Sequence, residues 1–468
     1  MSAQKQPTQQ FDATTEPRAM DARVTRVKFK SQDDAVGLGS ITRIRIPNVH
    51  NGLLATDATT LSLTVPKGKT IGGAGLGGLK IRFSPFGISS AISRLTLYAG
   101  GNVIQDLQSY AEVYAMLRSS SSPASSFGYS SVTELTAGGS LAVNGGPGLL
   151  EGTDMSSYFT ATSATVSTLN QDLNFEVPLL GLLSASRHIP LFQLNDDIVV
   201  EVTFSQSITD FLYTNDSAGG TAITTSDFEF TNIGMNCKII RCSDFGCEQL
   251  RKQSGISADR PMSWSSVSYC SDFTQIPAAT LNSAAPVQTI HKVGGLKPRS
   301  LVGYMCTGFS STQTSAQVKH ACIMPAFSLQ ARIGGELYPP QPMVNTCQLA
   351  SGAQLVAGGQ HALTALTNVF SRNASHMDNG DSARQLNVVD TAPVVTPRAV
   401  AGYPLCNEAD MVGIDSSGAT IEMISRVVKN TAGTRFAADS TSSLNFFTLL
   451  KYNCVYSISL DGQFTVAH

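Results

Sequence analysis

Charge is scarce in this chain. Of 468 residues only 14% are Asp, Glu, Lys or Arg, split as 32 basic against 34 acidic for a formal net charge of -2. That balance leaves no electrostatic footprint for nucleic acid. With 40 glycines and many Ser and Thr residues it argues against coiled coils and helical bundles. It also argues against a soluble enzyme with a conventional charged surface. A surface this poor in charge is either neutral and polar or covered by partners. Tryptophan occurs once, as Trp264, and all nine cysteines lie at position 237 or beyond. A disulfide framework is out of place in a chain able to build its own core, so free thiols are expected. There is no run of about 20 apolar residues, so no transmembrane helix is expected. The opening MSAQKQPTQQFDATTEP is polar and does not read as a signal peptide.

What is present is enough apolar residue, 42%, for a full-sized core. At about 150 residues per domain the length suggests three domains, but sandwiches of about 200 or more make two equally acceptable. Short alternating segments recur. Ile41–Ile46 stops at Pro47, and Thr60–Val65 stops at Pro66. Leu79–Phe83, Ile92–Tyr98 and Ile198–Phe204 continue the style, the last with Glu201 and Thr203 on its polar face. In the second half Cys237–Ile240, Ala326–Ile333, Phe446–Leu450 and Val455–Leu460 read likewise, and Asp461-Gly462 is a hairpin-type turn before Phe464. One helix is expected from about Leu107, where Leu107, Tyr110, Ala111, Tyr114 and Leu117 recur at three and four, ending in a serine-rich loop from Ser119. Short strands with Gly-rich turns describe a sandwich or jelly roll. Leu95–Gly101 and Leu329–Gly335 are both strand-like runs ending in Gly-Gly, and they stand half a chain apart.

No catalytic, cofactor-binding or metal-ligating residue stands out. The histidines (His50, His188, His291, His320, His361, His376, His468) make no HxxxH. Cys237, Cys242 and Cys247, followed by Cys270, lack the tight pairs usual in zinc sites. His320 and Cys322 would share a strand face but have no further ligands in view. The glycine-rich KGKTIGGAGLGG of Lys67–Gly78 lacks the phosphate-loop spacing. Asp196-Asp197 would face opposite ways on a strand, which makes a turn acid pair rather than a shared-proton dyad. There is no GxSxG in a strand-to-helix setting. An enzyme is therefore not expected, and no cofactor is implied. Asn215-Asp216-Ser217 and Asn373-Ala374-Ser375 match the N-glycosylation signal but are not expected to be used.

Two stretches carry a family resemblance. Ile88–Leu117, ISSAISRLTLYAGGNVIQDLQSYAEVYAML, resembles a motif of alternating strand, Gly-Gly-Gln, Ile-Asp and aromatic-rich helix, with Asn102 in place of the Gln and Gln105 in place of the Asp. Phe175–Phe204, FEVPLLGLLSASRHIPLFQLNDDIVVEVTF, resembles a strand ending in VPL, a turn, a second PL pair and an alternating strand, with Gly181–Ser186 replacing the aromatic and Cys-Arg-Asn turn. Weaker echoes are Lys297–Val302, Leu329–Pro340 and Tyr452-Asn453 with Cys454 and the strands after it. Together they resemble the double jelly-roll major capsid proteins of large and intermediate eukaryotic double-stranded DNA viruses and their relatives, the virophage and giant-virus-like lineage.

The resemblance implies an all-β fold of two tandem eight-stranded antiparallel jelly rolls with long loops and few short helices. The expected organisation is an N-terminal arm over 1–27, a first jelly roll over 28–232 and a second over 233–468. It implies a structural protein of the virion's icosahedral capsid shell, assembled in the host cell. Its homotrimers would be pseudo-hexagonal capsomers that meet neighbouring capsomers, penton and minor capsid proteins. Loops 119–160 and 345–395 would rise outward or clasp neighbours. The arm, with Arg23, Arg26, Lys28 and Lys30, would lie inward, near minor capsid proteins or an internal membrane. No sequence-specific nucleic acid is implied. The competing expectation is a β-sandwich carbohydrate-binding or adhesin-type module, which would display exposed Trp platforms.

Overall fold

The computed structural model describes residues 22–73, 80–84, 86–121, 155–184, 188–215, 223–254, 261–277, 287–292, 300–310, 327–345, 348–350, 354–356, 401–405, 413–416, 419–427 and 443–467. In the first half the principal strands are β1 (Ala22–Lys30), β2 (Ile41–Ile46), β3 (Gly52–Val65) and β4 (Ile92–Ala99). They are followed by β5 (Asn102–Gln108), β6 (Leu173–Pro178), β7 (Ile198–Phe204) and β8 (Glu229–Cys242). In the second half come β9 (Met262–Ile276), β10 (Val287–Lys292), β11 (Ser300–Ser310) and β12 (Phe327–Ile333). Last are β13 (Glu336–Asn345), β14 (Ala401–Pro404), β15 (Ile421–Val427), β16 (Leu444–Ile458) and a short β17 (Phe464–Ala467).

The two halves repeat one wiring. The first half forms sheets ordered β1-β8-β3-β6 and β2-β7-β4-β5; the second forms β9-β16-β11-β14 and β10-β15-β12-β13. Adding eight to every strand number of the first pair gives the second. All the principal ladders are antiparallel. The chain is thus two tandem eight-stranded jelly rolls, with sheets that bury one face and leave the other polar.

Local sequence accounts for the strands. In β2 the buried positions are Thr42, Ile44 and Ile46, and the exposed ones include Arg43 and Arg45. Each roll contains a Gly-Gly hairpin, β4 to β5 at Gly100-Gly101 and β12 to β13 at Gly334-Gly335. The glycine φ values are +56°, +80°, +59° and +95°. Two consecutive left-handed residues match the right-handed twist of the flanking strands, and glycine adopts them without a Cβ penalty. The Gly-Gly spacing read in the sequence therefore marks equivalent turns of the two rolls.

Two α-helices occur among the described residues: α1 (Tyr110–Ser121) and α2 (Asp244–Ser254). Tyr110, Ala111, Tyr114 and Leu117 are buried on α1, as the periodicity predicts. Leu107 differs from expectation: it is a buried residue of β5, and Ser109, at φ +50°, turns the chain between strand and helix. Period-two and period-3.6 patterns coincide over so short a run, so Leu107 fits either.

Three further expectations shift. The boundary after residue 232 falls inside β8, which stays in register with β1 and β3 as far as Cys242 and Arg241 respectively. The arm's residues 22–27 belong to β1. Phe446–Leu450 and Val455–Leu460 are not two strands, because β16 runs unbroken from Leu444 to Ile458 along β9. Of the expected outer loops, residues 122–154 and 357–395 lie outside the described residues. The described parts include the end of α1, a short strand Phe159–Ala161, and the small hairpin Gln348–Ala350 with Gln354–Val356.

One apolar cluster reaches from Val36 to Phe464 and includes core residues of both rolls. In the first, Phe204 and Phe230 stack at 4.4 Å; in the second, Trp264 lies 5.7 Å from Phe464 and 5.9 Å from Tyr456. Fully burying side chains of this kind stabilises by about 1.5–3 kcal/mol each.

Candidate functional site

The residues with the most demanding geometry lie where the rolls meet. Gln105, on β5, is buried. Its Nε2 donates to Ser268 Oγ on β9 at 3.2 Å, and its Oε1 accepts from the Leu182 backbone N–H at 2.9 Å. Gly181, at φ +80°, passes so close that a Cβ there would collide with the Gln105 amide. Nearby, Ser271 Oγ donates to the Gln108 carbonyl at 3.0 Å. The first Gly-Gly hairpin thus delivers its second strand to the first strand of the second roll.

A second junction gathers on Leu191–Asp197. The Asn195 N–H donates to the Gly462 carbonyl at 3.1 Å, and its side-chain amide donates to the Asp461 carbonyl. Gln193 Nε2 reaches the Leu460 carbonyl at 3.4 Å. Gly462, at φ +78°, has no room for a Cβ, which would lie 2.7 Å from Asn195 N and 2.8 Å from the Gln193 carbonyl oxygen. From the other side Arg251 of α2 donates to Gln193 Oε1 at 3.0 Å and to the Phe192 carbonyl at 3.1 Å, with its guanidinium 5.3 Å from the Phe192 ring centroid. The Asp461-Gly462 turn legible in the sequence is therefore a clasp between the rolls.

Asp196 and Asp197 take separate tasks. Asp197 pairs with Arg45 and accepts the Asn48 N–H at 2.8 Å. Asp196 lies beside Gly100, where a Cβ would meet its Oδ2 at 2.6 Å. Glu201 is buried and is met by Arg43 Nε at 2.7 Å and the Tyr98 hydroxyl at 3.4 Å. Arg94 holds Asp106 through two hydrogen bonds of 2.7 and 2.8 Å. Burial pushes the Asp106 carboxyl up, but the hydrogen bonds from Arg94 and Gln108 outweigh it and leave the group below its ordinary value. These carboxylates lock strands together.

The thiols among the described residues are sequestered. Cys237, Cys242, Cys247, Cys306 and Cys454 are buried and free, and Cys270 is partly buried. Burial pushes Cys237 and Cys454 up to about 12, and Cys247 and Cys270 up to about 11. Such thiols are poor nucleophiles and poor ligands at neutral pH. Among the described residues no three His, Cys, Asp or Glu side chains gather as a metal cluster. His320 and Cys322, Asn373, Lys297–Arg299 and residues 74–78 of the glycine-rich loop lie outside the described residues. Trp264 is fully buried, so it offers no exposed platform. No described helix is long and apolar enough to cross a membrane.

The basic segment singled out in the sequence is an edge strand. β1 pairs only with β8 among the described strands, residue for residue from Ala22–Cys242 to Lys30–Gly234. Val27 and Phe29 pack against the core, while Arg23, Arg26 and Lys30 are exposed.

Sequence reasoning finds the Gly-Gly runs and the Asp461-Gly462 turn. It misses Gln105, Ser268, Gln193, Asn195 and Arg251 as junction residues. In the sequence Gln105 is only a departure from a family motif, and the departure is itself the contact to the second roll.

No protein-family model matches the chain, and no curated protein matches it in sequence. Solved structures match it in fold. PBCV-1 VP54, fitted into a reconstruction of the virophage Sputnik, is 12% identical with a TM-score of 0.52, over 96% of this chain and 98% of that one. A chain of the Sputnik virophage itself is 13% identical at a TM-score of 0.58, over 95% and 88%. The Faustovirus major capsid protein is 9% identical at 0.55, over 94% and 91%. The likeness spans both rolls, and the chain has the double jelly-roll fold of these proteins.

Proposed function

We propose that this chain is a structural major capsid protein whose homotrimers tile the facets of an icosahedral virion. The observation that carries the reading is the doubled wiring of β1–β8 and β9–β16 in one chain. Two similar rolls in each of three subunits supply six comparable lobes, and a six-lobed block packs a flat facet with six neighbours. Closure at the fivefold vertices then needs a separate penton protein, and minor capsid proteins lie beneath the facets. The chain's place is the capsid shell of the virion.

The junction chemistry supports this role. Gln105 to Ser268 and Asn195 to Gly462 fix the angle between the rolls, and a lattice block needs that angle set before assembly. Subunit contacts can bury neutral Ser, Thr and Gly surface without the desolvation cost of charges, provided its polar groups find partners. The rolls divide between residues 243 and 261, after β8 and before β9, with α2 as the connecting element. The segment before β1 faces the capsid interior, toward minor capsid proteins or an internal membrane.

The test is the mass and outline of the purified chain, whose single copy weighs 49.4 kDa. A pseudo-hexagonal particle of three times that mass supports the proposal, and a monomer stable at high concentration overturns it.

A further inference from the structure

The outer face of the β1-β8-β3-β6 sheet carries cations stacked against one another. The β1–β8 register sets Arg26 directly opposite Lys238 on this face, and Arg23 opposite Arg241 on the other. Like charges directly opposite on an antiparallel pair are destabilising. Ala22 joins Cys242, Ile240 and Leu250 in the small cluster beneath α2, on the outer face. By strand alternation Val24, Arg26, Lys28 and Lys30 share that face. The row through Arg26 continues to Lys238, Ala55 and His188. Lys28 Nζ is held by the Asn232 carbonyl and side-chain oxygen at 2.9 and 3.0 Å. Among the described residues, Arg23, Arg26, Lys30, Lys238 and Arg241 have no acidic partner within ion-pair distance. Two acids lie near the row: Glu176, which accepts from Thr60 at 2.6 Å and Asn236 at 3.2 Å, and Asp57, which acts on His188 at its far end.

Charges on an edge strand commonly protect it from unwanted pairing. That purpose requires charge on β1 alone. Lys238 sits one strand inward on the same face, where it adds repulsion and no protection. A bound anionic partner accounts for the β1 row and for Lys238 beside it. The outer edge of β1 also has no strand paired to it among the described residues, so its backbone offers a line of donors and acceptors. Arg26, Lys28 and Lys30 repeat along this edge at about 6.8 Å, the spacing of alternate residues in an extended chain. Their match in both spacing and direction is a second strand.

We propose that the β1 edge takes an extended acidic segment of another protein as an added strand, with carboxylates at alternate positions facing Arg26, Lys28 and Lys30. Backbone pairing supplies affinity and the charged row supplies register, as in strand-addition recognition. The identity of the partner as another virion protein rests on the capsid reading; the site itself does not.

The probe is a labelled ten-residue peptide alternating Glu and Thr, titrated by fluorescence anisotropy against the full chain. Two further peptides carry N-methyl groups on one or the other alternate set of amides. Saturable binding is expected, weakening as salt rises, retained by one methylated peptide and lost with the other. Arg26→Gln combined with Lys30→Gln should weaken it roughly 10-fold, from the loss of two favourable cross-strand contacts. Lys30→Gln alone is the second variant, with a smaller loss, should the pair fail to fold. No binding, equal binding of both methylated peptides, or stronger charge-dependent binding to phosphatidylserine vesicles or a ten-nucleotide thymidine strand would each overturn the proposal. The mass of each variant's assembly is read in parallel. A wild-type chain that assembles as a trimer but binds no peptide overturns this site alone, whereas a wild-type chain that stays monomeric contradicts the capsid reading.

Discussion

Gln105 Nε2 on β5 donates to Ser268 Oγ on β9 across 3.2 Å, joining two strands that belong to different jelly rolls. The same glutamine accepts the Leu182 N–H, so one buried side chain sets both the turn after β6 and the seat of the second roll. Gln105→Leu keeps the volume and leaves the Leu182 amide and the junction hydroxyl short of a partner. The expected cost is about 1–3 kcal/mol, read as a lower urea midpoint. An unchanged midpoint would remove Gln105 from the junction.

Glycine positions with left-handed φ divide by their surroundings. Gly335 has open space around it, so Gly335→Ala carries only the backbone penalty, about 1 kcal/mol. Gly462 meets Asn195 N and the Gln193 carbonyl oxygen, backbone atoms that cannot swing away. Gly462→Ala is expected to cost more, about 1–3 kcal/mol, and to raise hydrogen exchange at the Asn195 amide. Equal thermal shifts for the two variants would contradict the clasp.

Trp264 is packed between Tyr456 and Phe464. Trp264→Ala should destabilise by about 3–5 kcal/mol, in the range of large-to-small core substitutions. Native fluorescence should be blue-shifted and unmoved by added oligosaccharide. A red-shifted, sugar-sensitive emission would instead fit a binding platform.

Alkaline stability follows from the buried thiols and phenols. Burial raises Cys237 and Cys454 from 9.0 to about 12 and pushes Tyr304 and Tyr456 well above 10.0. A folded-state value above the unfolded one means that the unfolded chain loses its proton first as pH rises. The stability these groups contribute is complete below pH 9 and declines as pH climbs toward 12. Urea midpoints measured from about pH 8 to 11 should fall, and thiol labelling of the folded chain at the lower end should be slow. A flat profile with rapid labelling of Cys237 would contradict this burial.

The strands are readable in the sequence wherever one face is apolar and the other polar. Ile44 and Ile46 alternate with Arg43 and Arg45, and the alternation survives in the structure as buried against exposed. The Gly-Gly turns are readable because left-handed pairs select glycine. The end of the first roll is not. β8 is an unbroken 14-residue strand with no proline to punctuate it, and its membership in the first sheet depends on pairing with β1, at the far end of the same roll. Gln105 and Asn195 are illegible as junction residues for a related reason. A polar side chain owes its partner to the fold, and its own sequence neighbourhood does not name a residue in the other roll. The stacked cations of β1 and β8 become visible only once register is known.

The capsid account turns on assembly, and class averages of the purified full chain, taken with its native mass, test it most directly. The account predicts a particle of three times the 49.4 kDa chain mass, with six lobes in a pseudo-hexagonal outline. A two-lobed particle of a single chain, persisting as concentration is raised, would contradict it.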